Sequence, residues 1–192
     1  MGPDSAQLTY AFAFLTYMFL GAGALFGIAR FALAGRDIPK LASPSRFPDV
    51  TLTHIATKMT SGLAFLAVNV INLSLAVSIG IEEQFRYDAR DLLSYVSTST
   101  PSNDTVMLAL LTSSLLRMIG TIALLHGVNS IAEWGHRDYQ ISKSARRKVI
   151  WGFFCGLVMW FPEFWTAFFG QYYLPLQGIS EFLQSTDILN NR

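Results

Sequence analysis

Charged residues are scarce in this sequence. Asp, Glu, Lys and Arg make up 14% of its 192 residues, whereas soluble domains carry about 25%. Hydrophobic residues make up 52%, occur in blocks and give a mean hydropathy of +0.37. The formal net charge of +1 favours neither an acidic nor a basic partner. This composition excludes an ordinary soluble domain and predicts a single transmembrane domain over residues 1–192.

Residues that carry chemistry are also rare. The one cysteine, Cys155, lies inside an apolar block and has no metal-binding set around it. His54, His126 and His136 fall on predicted loops or helix ends and are too scattered to form a site. The sequence has no catalytic pair of carboxylates and no glycine-rich phosphate loop. We therefore expect no enzymatic activity, no cofactor and no metal.

The sequence does contain four apolar runs of the length that crosses a bilayer, about 20 residues. They cover residues 8–29, 59–81, 106–132 and 149–170. We predict an all-α membrane protein with four transmembrane helices at these positions. No Lys or Arg precedes the first run, which is longer than the apolar core of a signal peptide, so we expect it to remain uncleaved.

The basic residues predict the orientation of these helices. Residues 30–58 and residues 133–148 each carry five basic and two acidic residues, whereas residues 82–104 carry two basic and five acidic residues. Both ends of the chain have few basic residues. Because Lys and Arg are enriched in short cytoplasmic connections, the first and third connections are predicted to be cytoplasmic and both termini periplasmic. The predicted location is the bacterial inner membrane.

Small and amide-bearing residues recur on the predicted helices. Lipid offers no hydrophobic drive for helix association, so close contacts between small residues and polar contacts between helices must supply it. The residues with this role are Gly23 and Gly27 in the first helix, Gly62, Asn69 and Asn72 in the second, Gly120 in the third, and Gly152 and Gly156 in the fourth. They serve either packing within one bundle or assembly into a larger complex, and the sequence leaves both open.

Arg117 is the most informative single residue. It lies about 11 residues into the third predicted helix, too deep to reach the interface easily, and such a charge usually faces protein or a cavity. Ser113, Gly120 and Thr121 share its helical face, which is therefore small and polar.

Glu163 is the candidate partner of Arg117. Counting 1.5 Å per residue from the outer helix ends puts Arg117 about 16 Å deep and Glu163 about 10 Å deep, close enough for two long side chains to meet. In the alternative, the fourth helix ends at Pro162 and Glu163 lies at the interface among aromatic residues. The sequence is compatible with both interpretations.

Two stretches resemble a known family of small membrane proteins. One reads Arg-Met-Ile-Gly-Thr-Ile-Ala-Leu-Leu-His-Gly from Arg117 to Gly127, and the other reads Thr-His-Ile from residue 53, followed by Gly-Leu-Ala from Gly62 and Asn-Val-Ile from Asn69. They resemble the TraQ/IcmC/DotE group of type IVB secretion and conjugation systems, in which an Arg-x-Ile-Gly-x-Ile-Ala-like helix and a His-Ile…Gly…Ala…Asn helix recur. The resemblance covers about a third of the chain.

The resemblance implies a non-enzymatic structural or assembly subunit of a type IVB-like secretion or conjugation apparatus. Its partners would be other inner-membrane subunits, further copies of this chain and membrane lipids, with no direct contact to nucleic acid. The alternative is a small transporter or channel component in which Arg117, with Asn69 and Asn72, lines a polar pathway. Against this alternative, the sequence indicates no inverted repeat and no pair of broken helices.

Overall fold

A computed structural model describes residues 3–43, 46, 50–81 and 104–184. All regular structure in these ranges is helical, which confirms the predicted all-α class. The elements are α1 (Pro3–Asp37), a 3₁₀ helix (Ile38–Ala42), α2 (Leu52–Leu66), α3 (Val68–Ile79), α4 (Asp104–Trp134), α5 (Tyr139–Trp160), α6 (Pro162–Gly170) and α7 (Leu174–Gln184). The predicted acidic connection lies outside the described residues, except for Asp104, which begins α4.

Among the described residues, two continuous helices are long and apolar enough to cross a membrane, Gln7–Ala42 and Met107–Trp134. Two further segments qualify only as bent pairs: α2 with α3, bent by 82°, and α5 with α6, bent by 84°. The chain thus has two candidate spans, or four if each bent pair is one span, consistent with a multi-pass membrane protein. The expectation that broken helices are absent is wrong.

The break between α5 and α6 has a cause in the sequence. A proline disfavours the helical conformation of the residue before it and has no N–H to donate. Accordingly, Phe161 leaves the helical region, with φ −121° and ψ 57°, and Pro162 begins the next helix. The break at Ala67, with φ −103° and ψ 10°, has no such cause, because no glycine or proline lies between Leu63 and Ile79.

The helices extend well beyond the apolar runs that predicted them. The fourth run starts at residue 149, but α5 already begins at Tyr139. Asp138 caps this helix, because its Oδ1 accepts a hydrogen bond of 2.8 Å from the Gln140 backbone N–H. Much of the predicted loop 133–148 is therefore helical. A hydropathy run marks the stretch that suits lipid, whereas a helix continues into the polar layer until its backbone is capped.

The chain divides into two compact units. The first comprises Met1–Met18, Asn72–Thr121 and Leu157–Arg192, and the second comprises Phe19–Ile71 and Ile122–Gly156. Polar side chains are frequent among the buried residues of the first unit, and the buried set of the second is mainly apolar.

The orientation of the termini stays a prediction, and reporter fusions test it. We expect fusions after residue 46 and after residue 137 to report a cytoplasmic position, because both positions lie within connections rich in Lys and Arg. Fusions after residue 95 and at residue 192 should report a periplasmic position. Paired alkaline phosphatase and green fluorescent protein fusions provide opposite signals at each site. A cytoplasmic signal at residue 192 would contradict the four-span topology.

Candidate functional site

A buried ion pair lies in the first unit. Arg117 Nη2 in α4 donates to Glu163 Oε1 in α6 at 2.8 Å, and the two side chains are only 8% and 3% exposed. Ser113, one turn before Arg117, donates its hydroxyl hydrogen to the same carboxylate oxygen. The structure thus brings together two residues whose pairing the sequence left open, and it adds Ser113 as a third member.

The helix break explains how Glu163 reaches this position. The last carbonyl groups of a helix have no partner within that helix. Arg117 Nε lies 3.4 Å from the backbone oxygen of Trp160, the last residue of α5, and so offers it a donor. Glu163 lies in the first turn of α6, where the helix dipole favours a negative charge. The helix is interrupted at Pro162, as in the alternative interpretation, and Glu163 is buried beside Arg117.

The first unit holds buried polar atoms that the ion pair does not use. Within the described part of the chain, Glu163 Oε2, both polar atoms of the Asn72 side chain and the indole N–H groups of Trp160 and Trp165 have no hydrogen-bond partner. Asn72 is only 1% exposed. Because neither of its polar atoms has a hydrogen-bond partner, Asn72 is not a partner of Arg117. Asn69 is half-buried and belongs to the second unit.

The second unit contains two close backbone contacts at glycines. A Cβ atom on Gly27 would lie 2.7 Å from the Gly62 backbone oxygen, so α1 and α2 touch where neither has a side chain. A Cβ atom on Gly152 would lie 2.6 Å from Gly127 Cα, so α4 and α5 do the same. The predicted small-residue faces at Gly27, Gly62 and Gly152 therefore pack against other helices of this chain.

The other predicted glycines are less constrained or only buried. A Cβ atom on Gly23 would meet the Leu125 side chain at 2.8 Å, a contact that a flexible side chain can relax. Gly120 and Gly156 are buried. Gly127, the partner of Gly152, ends the stretch that resembles the known family, but it was not recognised as a packing residue.

Sequence reasoning also missed the role of Arg30. It was counted only as a basic loop residue, but it lies in α1, and its Nη1 donates to Asn129 Oδ1 at 2.6 Å and to Ser61 Oγ at 3.1 Å. Ser61 in turn donates to the backbone oxygen of Val128 at 2.8 Å. Arg30 thus connects α1, α2 and α4 within the second unit. Its spacing of three residues from Gly27 was the available signal, because it puts both on one helix face.

The histidines are less scattered than expected. The rings of His54 and His136 meet edge to face, with centroids 5.9 Å apart. His126 is exposed in α4. Among the described residues, no group of three or more His, Cys, Asp or Glu side chains could hold a metal ion.

The aromatic residues near the end of the fourth run differ in exposure. Trp160 and Phe161 are fully buried, whereas Phe168, Phe169 and Tyr172 are exposed. The exposed rings pack on one another along α6 and into the turn that follows it, with centroid distances of 5.3 to 6.1 Å. Only the exposed rings are accessible to the lipid headgroups that an interfacial aromatic belt contacts.

The candidate site therefore consists of non-covalent contacts between helices of this chain. The first unit has one buried ion pair, and the second has two glycine contacts and an arginine hydrogen-bond network. The site brings together Arg117 with Glu163, Gly27 with Gly62, and Gly152 with Gly127. Comparisons of this chain with protein-family models, with curated proteins and with solved structures found no match.

Proposed function

We propose that this protein is a non-enzymatic structural subunit of a membrane-embedded assembly. The observation that supports this most strongly is the Arg117–Glu163 pair, because its charged groups hold α4 against the break between α5 and α6. A guanidinium engaged in this way supports the fold. It has less freedom to bind and release a passing solute.

The class of assembly follows from the resemblance to the TraQ/IcmC/DotE group. We assign the chain to the inner membrane, with both termini periplasmic, as a subunit of a type IVB-like secretion or conjugation apparatus. The glycine contacts refine how it would assemble. Gly27 and Gly152 already pack against other helices of the same chain. Neighbouring subunits would therefore bind the exposed apolar faces instead. Leu25 and Ile28 on α1 are examples of such exposed residues.

A second candidate function is a transport or channel component, and the two bent helices favour it. Transporters bind substrates and ions where membrane helices are interrupted. At the break beside Glu163, one carboxylate oxygen has no partner within the described residues, and Asn72 adds unpartnered amide atoms to the same unit. In this role, Glu163 and Asn72 would contact the transported species.

Purification under mild conditions separates the two functions. We expect the tagged full-length protein, extracted in a mild detergent at its natural expression level, to elute with other membrane subunits. The complex should be many times larger than one chain of 21.3 kDa. Mass spectrometry of the eluted complex identifies the subunits. Arg36→Gln, which changes an exposed basic residue at the end of α1, is the control and should leave the complex intact.

The contrary result is equally specific. A protein that purifies alone, and that carries ions or small solutes across liposomes in a manner abolished by Asn72→Ala, would overturn the structural role. It would establish the transport function in its place.

A further inference from the structure

One side of α5 changes character along its length. It begins with basic side chains and continues with apolar ones, all of them exposed to the surroundings of the second unit. This α5 stripe consists of Lys143, Arg146, Arg147, Ile150, Trp151 and Phe154. The spacing of three and four residues places its members on one side of the helix. The opposite side carries Ala145, Val149 and Gly152, all buried.

Two of the three basic side chains of the α5 stripe lie over aromatic rings, and none of the three is neutralised. The Lys143 ammonium lies 5.9 Å from the ring centre of Tyr139, and the Arg146 guanidinium lies 5.8 Å from that of Trp134. Such contacts orient a cation without cancelling its charge. Helix α5 contains no acidic residue. In the ranges that the structure covers, none of the three basic residues forms an ion pair.

The dimensions of the α5 stripe match the outer layers of a bilayer. From Lys143 to Arg147 the helix rises about 6 Å, and the headgroup layer on one side of a bilayer is about 5–8 Å thick. The apolar members follow within one turn. Ile150, Trp151 and Phe154 are 65%, 62% and 55% exposed, which suits contact with hydrocarbon but not with water.

We propose that the α5 stripe binds an anionic phospholipid. Its phosphate contacts Lys143, Arg146 and Arg147, and an acyl chain lies along Ile150 and Trp151. Guanidinium groups form paired hydrogen bonds with phosphate oxygens, so Arg146 and Arg147 suit this headgroup. The adjoining apolar surface favours a lipid over free phosphate, an acidic peptide or a nucleic acid. Three cations favour headgroups with two negative charges, as in phosphatidic acid, over headgroups with one.

Lipid titration of the purified full-length protein tests this site. Native mass spectrometry from a nonionic detergent would measure binding of phosphatidic acid, phosphatidylglycerol and phosphatidylcholine, with inorganic phosphate as the probe without acyl chains. We expect affinity to fall in the order named and inorganic phosphate not to bind. Neutralising one cation, as in Arg147→Gln, should weaken the binding of phosphatidic acid about fivefold, and neutralising all three about a hundredfold.

Lys148→Gln is the matched control. Lys148 is exposed on the same helix, but it lies about 130° around the axis from the centre of the α5 stripe, so its loss should change affinity little. Trp151→Ala should weaken phosphatidic acid binding while leaving the basic residues in place. Equal weakening by Lys148→Gln and Arg147→Gln would overturn the site, since it would indicate diffuse attraction. Binding of inorganic phosphate, an acidic peptide or a nucleic acid as tight as that of phosphatidic acid would also overturn it.

Discussion

Glu163→Gln is expected to destabilise the protein by about 2 kcal/mol, because an arginine charge left inside a membrane helix costs about 2.5–3.5 kcal/mol. The residual contacts recover part of that cost. The Gln oxygen and the Trp160 carbonyl still accept hydrogen bonds from Arg117. The guanidinium cannot lose its proton in a protein, so it stays charged and buried.

Arg117→Ala should destabilise the protein less, by about 1 kcal/mol, close to the value of polar contacts between membrane helices. The residue left behind is a carboxyl group, which can take up a proton and become neutral, whereas a guanidinium cannot. Ser113 remains beside it as a hydrogen-bonding partner. The two partners of one ion pair therefore differ in the cost of their removal.

Reversible unfolding in mixed micelles of detergent and sodium dodecyl sulfate measures these free energies. The double variant Arg117→Ala with Glu163→Gln leaves no charge in the cluster, so it should be no less stable than Glu163→Gln alone. Additive losses would contradict the pair. Arg117→Lys should be intermediate, because an ammonium group keeps the charge but cannot reproduce the separate contacts of Nη2 and Nε. If Arg117 lined a transport pathway, Arg117→Ala would instead leave stability unchanged and abolish flux.

The buried face of α1 could be predicted from the sequence. Thr9, Ala13, Thr16, Leu20, Gly23 and Gly27 follow the helical repeat, and all are buried except Leu20, which is half-buried. Helical periodicity is a local property, so residues within one helix suffice to reveal it. Membrane helices extend this rule, because the face that packs against protein is marked by small rather than large residues.

The breaks were harder to predict, and the two differ in the reason. Pro162 predicts the break at Phe161. A proline alone does not determine whether the chain then leaves the membrane or packs back against the protein. Glu163 is buried because it pairs with Arg117, which lies in another helix. At Ala67 no glycine or proline signals the break, so it follows from packing that a single sequence does not display.

Partners across helices were the least predictable part of the site. Gly152 was recognised by its spacing from Gly156, but its contact is Gly127 in α4. Arg30 was assigned by its charge to a cytoplasmic loop, yet Asn129 and Ser61 hold it inside the second unit. Spacing identifies a face, whereas the identity of the opposite face depends on how two helices cross.

Alanine substitution of the glycines should reduce stability by different amounts. The loss should be largest where the added Cβ atom would meet helix backbone and smallest where it would meet nothing. A Cβ atom on Gly152 would lie 2.6 Å from Gly127 Cα and 2.8 Å from the Ala123 backbone oxygen. Helix backbones cannot yield without separating, so Gly152→Ala should cost about 1–3 kcal/mol, the range for overpacking. Gly27→Ala should cost a similar amount, because it meets the Gly62 backbone oxygen at 2.7 Å. Leucine at either position should prevent folding rather than merely weaken assembly.

Gly23→Ala and Gly21→Ala are the matched comparisons, since both lie on α1 with Gly27. A Cβ atom on Gly23 would lie 2.8 Å from the Leu125 side chain, which can rotate away, and 3.5 Å from Phe65 Cδ1, an ordinary contact, so the loss should be smaller. Nothing lies within 4 Å of a Cβ atom on Gly21. Alanine there should be neutral or should stabilise the helix by up to about 1 kcal/mol through its higher helix propensity. The same unfolding measurement ranks all four variants. If Gly21→Ala and Gly152→Ala were equally harmful, the close approach of α4 and α5 at Gly127 would be refuted, because that approach predicts a clearly larger loss at Gly152.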